Sequence, residues 1–107
     1  MFTKISHSLV QIDSSRSIRD AMEVLNKIDE RFLVVLNREK KLLGTITDGD
    51  IRRAMLKNID IYKKVELCMN KNPIFAYENS KNYNTLFKKM NSIIKFLPIL
   101  DKDKKII

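Results

Sequence analysis

Ile18, Ala21, Met22, Leu25 and Ile28 fall at the three-and-four spacing of an amphipathic helix, and Ser14 or Ser15 stands where its first turn would be capped. Before it, Leu9-Val10-Gln11-Ile12 reads as a short strand. After it, Phe32-Leu33-Val34-Val35-Leu36 is apolar at every position, too continuous for a strand with one wet face. That run predicts a strand inside a sheet covered on both sides. A polar turn then leads into Leu42-Leu43 and Gly44-Thr45-Ile46-Thr47-Asp48-Gly49-Asp50, and Ile51 to Leu56 continues as a second helix with Asp48 or Asp50 in its first turn.

The pattern recurs. Residues 32–43 line up with residues 96–107 at an offset of 64, apolar on apolar and charged on charged. Upstream, Asp13-Ser14-Ser15 matches Glu78-Asn79-Ser80 at an offset of 65. Ile18, Ala21, Met22, Leu25 and Ile28 match Tyr83, Leu86, Phe87, Met90 and Ile93, with Ile74-Phe75-Ala76-Tyr77 as the matching first strand. On this alignment the first copy holds one extra residue before its second strand. The expected fold class is α/β (α+β), with a strand-helix-strand-strand-helix unit repeated. The first repeat occupies 1–58, a linker with a short helix 59–72, and the second repeat 73–107. The second copy reaches Ile107 before its matching glycine, so it is expected to be truncated.

Composition narrows the chemistry. The chain of 107 residues fits one small globular unit, and no apolar run approaches the roughly 18 residues that span a bilayer. A single cysteine, Cys68, forms no internal disulfide, and a reducing cytoplasm is the expected location. With one histidine, His7, there is no His/Cys zinc cage and little basis for a Ser-His-Asp relay, so neither catalytic nor metal residues are assigned. Cys68 reads as a small buried hydrophobe. The net charge of +8 is concentrated in residues 57–107, in pairs such as Lys63-Lys64, Lys88-Lys89 and Lys104-Lys105. These pairs read as solvated faces and turns. No groove-reading motif accompanies them, so nucleic acid is not an expected partner, and neither is a membrane.

Candidate chemistry gathers at residues 44–53. Gly44 allows close approach of a ligand or a packed partner. Thr47 offers a hydroxyl, and the helix start behind it offers free amides, a combination suited to a phosphate oxygen. Asp50 can accept from both hydroxyls of a ribose, and Arg52 and Arg53 add positive charge. The plainer alternative is that Thr47, Asp48 and Asp50 merely cap a helix. Asp48 and Asp50 as paired carboxylates for Mg²⁺ are too few for a dedicated cage without ligand phosphates.

The repeat together with Gly44-Thr45-Ile46-Thr47-Asp48-Gly49-Asp50 resembles a tandem pair of cystathionine β-synthase-type (CBS) domains, a Bateman module. The resemblance implies two repeats packed with pseudo-twofold symmetry. It further implies a non-catalytic regulatory module binding AMP, ADP or ATP, with no required cofactor and Mg²⁺ as an optional companion. It puts Thr47 at phosphate and Asp50 at ribose. Ile12, Asp13, Ser14 and the start of strand 32–36 would flank the base. The run from Thr45 to Arg53, followed by Met69-Asn70-Lys71-Asn72-Pro73-Ile74, also resembles CBS pairs attached to bacterial sugar-phosphate nucleotidyltransferases, or to sugar-phosphate isomerases. A homodimer and an attached or partner catalytic domain are the expected assembly. The competing expectation is a structural dimerisation module with a vestigial cleft.

Overall fold

The computed structural model describes residues 10–29, 31–73, 76–77, 99–103 and 105. Strand β1 (Gln11–Asp13) is followed by helix α1 (Ile18–Lys27), strands β2 (Phe32–Leu36) and β3 (Leu42–Thr47), and helix α2 (Asp48–Leu56). A short 3-10 turn spans Val65–Leu67, and strands β4 (Ala76–Tyr77) and β5 (Ile99–Leu100) follow. His7, Leu9, the expected second-copy helix and Lys88-Lys89 lie outside the described residues.

The first three strands form one sheet in the order β1-β2-β3. β1 runs parallel to β2, which α1 makes possible by carrying the chain back along the sheet. β3 runs antiparallel to β2, with an irregularity between Val35 and Leu36. The central strand is β2, and Leu33, Val34, Val35 and Leu36 are all buried, as the unbroken apolar run predicts. Leu33 and Val35 alternate onto the face that meets Ile18, Ala21 and Leu25 of α1, Ile51 of α2, and Val65. This is the core against which both helices are set.

The helix ends are well specified. Asn58 at φ 61° closes α2, with the Asn58 and Ile59 amides donating to the Met55 and Ala54 carbonyls at 3.0 Å each. α1 is capped by Ser17, not by Ser14 or Ser15. The two earlier serines are already committed: the Ser14 amide extends the β1–β2 ladder to the Leu36 carbonyl at 2.8 Å, and the Ser15 amide donates to Asp13 Oδ1 at 2.8 Å. That tight turn also holds the Asp13 carboxyl below its ordinary pKa, chiefly through the bonds from Ser15.

The repeat is visible in individual hydrogen bonds. Asn37 Oδ1 accepts from the amides of Glu39 and Lys41 at 2.9 and 3.0 Å, and Asp101 Oδ1 accepts from those of Asp103 and Lys105 at 2.8 and 3.0 Å. The Asn37 amide donates to Lys41 O at 2.9 Å, and Asp101 does the same to Lys105 O at 2.8 Å. Lys41 and Lys105, equivalent by the offset of 64, meet each other in an antiparallel bridge. Contact between equivalent residues is what a pseudo-twofold axis passing between the copies produces. One detail of the alignment changes. β4 pairs parallel with β5 through Ala76–Ile99 and Tyr77–Leu100, which mirrors Ile12–Val35 and Asp13–Leu36 at one constant offset. In the strands Asp13 therefore corresponds to Tyr77 rather than Glu78, and no extra residue separates the first two strands of either copy.

Candidate functional site

Both helices of the first repeat begin with the same local device. In α1, Ser17 Oγ accepts from the Asp20 amide at 3.0 Å while Asp20 Oδ2 accepts from the Ser17 amide at 3.1 Å. In α2, Asp50 Oδ2 accepts from the Thr47 amide at 2.9 Å and from the Thr47 hydroxyl at 3.1 Å, and the Asp50 amide reaches Thr47 Oγ1 at 3.4 Å. Each is a reciprocal cap of Ser/Thr-x-x-Asp spacing. An arginine joins each aspartate: Arg16 Nε lies 3.0 Å from Asp20 Oδ2, and Arg53 Nη2 lies 2.7 Å from Asp50 Oδ1. The Arg16 contact, followed by the Ser17 amide, lowers the Asp20 pKa to about 2.

The two starts differ in what covers them. The first-turn amides of Ile18 and Arg19 donate to the carbonyls of Lys63 and Ile61, both at 2.8 Å. The segment carrying those carbonyls is anchored by Val65, fully buried, whose amide donates to Arg16 O at 2.9 Å. At α2 the corresponding amides, those of Asp48 and Gly49, meet no such carbonyl among the described residues. Among the described residues they are the open donors of a helix start, carrying its positive end.

The residues singled out from sequence fall into separate places. Thr47, Asp48 and Asp50 form the first turn of α2 together with Gly49. Arg53 lies on that turn, its guanidinium over Gly49. Arg52 lies on another side of the helix. With Asp48 it lines a groove of about 790 Å³ between α1 and α2, floored by Met22, Leu25, Ile51 and Met55. Sequence reasoning missed this groove, although Asp48, Arg52 and Met55 recur at the spacing of one helix face.

Gly44 is explained by packing. A Cβ there would stand 2.5 Å from the Asn70 carbonyl oxygen and 2.9 Å from Met69 Sδ, because Thr45 and Asn70 exchange backbone hydrogen bonds of 3.1 and 2.8 Å. Of its two expected uses, the packed partner is the one the structure displays.

Ile12, Asp13 and Ser14 are not brought to Thr47 and Asp50. Asp13 pairs with Leu36 at the last position of β2, whereas Thr47 pairs with Phe32 at the first. Four residues of strand, about 13 Å, separate the two ends. Ile12 and Asp13 line a different cavity of about 180 Å³, with Arg16 and Lys40 at its edge. Only the start of β2 adjoins the α2 turn, so the expected flanking of one ligand by both groups is corrected.

Cys68 is half-buried, and burial, followed by the nearby Asp50 charge, pushes its thiol pKa up to about 11. It packs against the core as a small hydrophobe, but from a partly buried position rather than the fully buried one expected. Among the described residues no group of three His, Cys, Asp or Glu side chains is placed to hold a metal ion, and no helix is long and apolar enough to cross a membrane.

Residues 3–57 match the CBS domain family, and the chain belongs to it. A homoserine O-acetyltransferase of Methanosphaera stadtmanae is 23% identical over 103 residues, covering 96% of this chain but 20% of that protein. The chain thus spans about a fifth of the length of this curated relative. Among solved structures, the CBS domain pair of protein MJ0100 in complex with 5′-methylthioadenosine and S-adenosyl-L-methionine is 28% identical, with a TM-score of 0.73 over 92% of this chain and 77% of that one. The CBS domain protein PAE2072 from Pyrobaculum aerophilum, complexed with AMP, is 18% identical with a TM-score of 0.74 over 94% and 82%. These matches give the CBS module and lend no support to the finer likeness to nucleotidyltransferase modules, which rests on the quoted residues alone.

Proposed function

We propose that this chain is a non-catalytic regulatory module that binds an adenosine nucleotide at the first turn of α2 and thereby controls an attached or partner enzyme in a reducing cytoplasm. The observation that carries the reading is the pair of amides at Asp48 and Gly49, uncovered among the described residues, beside a hydroxyl, a carboxylate and the Arg53 guanidinium. On this reading the phosphate sits on the amides and Thr47, the ribose hydroxyls on Asp50, and the base toward the start of β2. Adenosine compounds bound to the 28% identical CBS pair support the ligand class. The enzyme controlled is a separate proposal. The Thr45–Arg53 wording is shared by modules of sugar-nucleotide-forming enzymes and of sugar-phosphate isomerases, while the name of the curated relative points to acyl transfer.

One observation favours a second reading, a dimerisation module with a vestigial cleft: Thr47 and Arg53 already satisfy both oxygens of Asp50. Exposed Met55, Leu56, Tyr62 and Leu67 support the proposed dimer under either reading. Calorimetric titration with AMP, ADP, ATP and a sugar nucleotide, each with and without Mg²⁺, separates the two. Saturable binding of an adenosine nucleotide sustains the first, and binding of none of them leaves the second. Sedimentation tests the dimer, and a stable monomer at high micromolar concentration contradicts it.

A further inference from the structure

Resting on the nucleotide site proposed above, we infer that Arg53 occupies the ribose position of Asp50 in the unliganded protein and turns to the ligand phosphate on binding, so that it sets the preference for a nucleotide over its nucleoside. Asp50 Oδ2 is held by Thr47, through the amide at 2.9 Å and the hydroxyl at 3.1 Å. The remaining oxygen, Oδ1, is the one available for ribose hydroxyls, and it takes Arg53 Nη2 at 2.7 Å. The same guanidinium lies across the uncovered first turn: a Cβ on Gly49 would stand 3.2 Å from Nη1 and 3.4 Å from Nη2. A phosphate on the Asp48 and Gly49 amides therefore lies within reach of Arg53 without any movement of the helix.

The two partners are unequal. The Asp50 side chain is 14% exposed and fixed by Thr47, while that of Arg53 is 60% exposed. Exposed ion pairs are held weakly, so the arginine is the one that moves. A nucleoside has to displace it and offers no new anion in return. A nucleotide displaces it and supplies a phosphate for it to fork onto. Arg16 and Asp20 lack this choice, since the amides beside them are closed by Lys63 and Ile61.

The test is calorimetric titration of wild type and Arg53→Ala with AMP and with adenosine, folding being checked by circular dichroism. The expected result has two opposite parts. The preference for AMP over adenosine falls about tenfold, the worth of one charge-assisted contact. Adenosine itself binds about two- to fivefold more tightly, because a surface ion pair no longer competes for Asp50. Adenosine affinity that stays level or falls overturns the inference and leaves the site standing, as does an unchanged preference. Wild type that binds neither compound overturns the site and the inference together.

Discussion

The starts of α1 and α2 carry nearly the same chemistry and reach different ends. Each has a hydroxyl cap, an aspartate three residues on that bonds back to the cap amide, and an arginine on that aspartate. What separates them comes from elsewhere in the chain: the Ile61 and Lys63 carbonyls close the first amides of α1, whereas no carbonyl among the described residues does so at α2. Capping residues therefore mark where a helix begins, and tertiary cover decides whether that beginning is free to meet a ligand.

The covering segment is held at two places, and loosening either one is expected to have the largest effect. Gly44→Ala forces a Cβ into the Asn70 carbonyl and should cost about 1–3 kcal/mol in urea unfolding, as overpacking of a tight contact does. Val65→Ala removes two buried methyl groups and should cost about 2 kcal/mol. It should also speed hydrogen exchange at the Ile18 and Arg19 amides while leaving α2 unchanged. Exchange that rises equally in both helices would erase the distinction between them.

Next in size are the two aspartates. Asp20→Ala and Asp50→Ala should each lower stability by opening one half of a reciprocal cap. Only Asp50→Ala should also weaken adenosine-nucleotide binding, by roughly ten- to a hundredfold. Equal loss of binding in both variants would show that the nucleotide reports on folding rather than on one site.

Acid gives a further test of the α1 cap. The Asp20 pKa of about 2 lies below its ordinary value of 3.8, so its contribution to stability is present above about pH 4 and is lost as pH falls toward 2. Asp20→Asn should accordingly flatten the acid limb of the stability curve between those values, and a limb of unchanged slope would count against the Arg16 and Ser17 bonds as its cause. The smallest effect is at Cys68. A thiol raised from 9.0 to about 11 has about a hundredfold less thiolate at pH 8, so labelling by a thiol reagent should be correspondingly slow in the folded chain and fast in urea.

Much of the first repeat was legible because its signals are local. The α1 stripe, the doubly covered β2 and the shared turn at Asn37 and Asp101 depend on residues within a few positions of one another. The capping residue of α1 was legible in principle: Ser17-Ile18-Arg19-Asp20 has the spacing of Thr47-Asp48-Gly49-Asp50, but the earlier pair Ser14-Ser15 obscured it. Those serines are drawn off by Asp13, whose carboxylate makes a turn of them. The use of Gly44 and the cover over α1 were not legible, since both depend on residues 61–70 folding back across tens of positions. The separation of Asp13 from Thr47 follows from strand register, which puts them at opposite ends of β2 although both end a strand.

The most direct test of α2 as the nucleotide-binding helix is an amide-resolved NMR titration of the ¹⁵N-labelled chain with AMP. The expected result is saturable shifts at Asp48, Gly49 and Asp50, with the amides of Ile18 and Arg19 unmoved. Shifts centred on α1, or on the cavity at Ile12 and Asp13 with α2 silent, would contradict it.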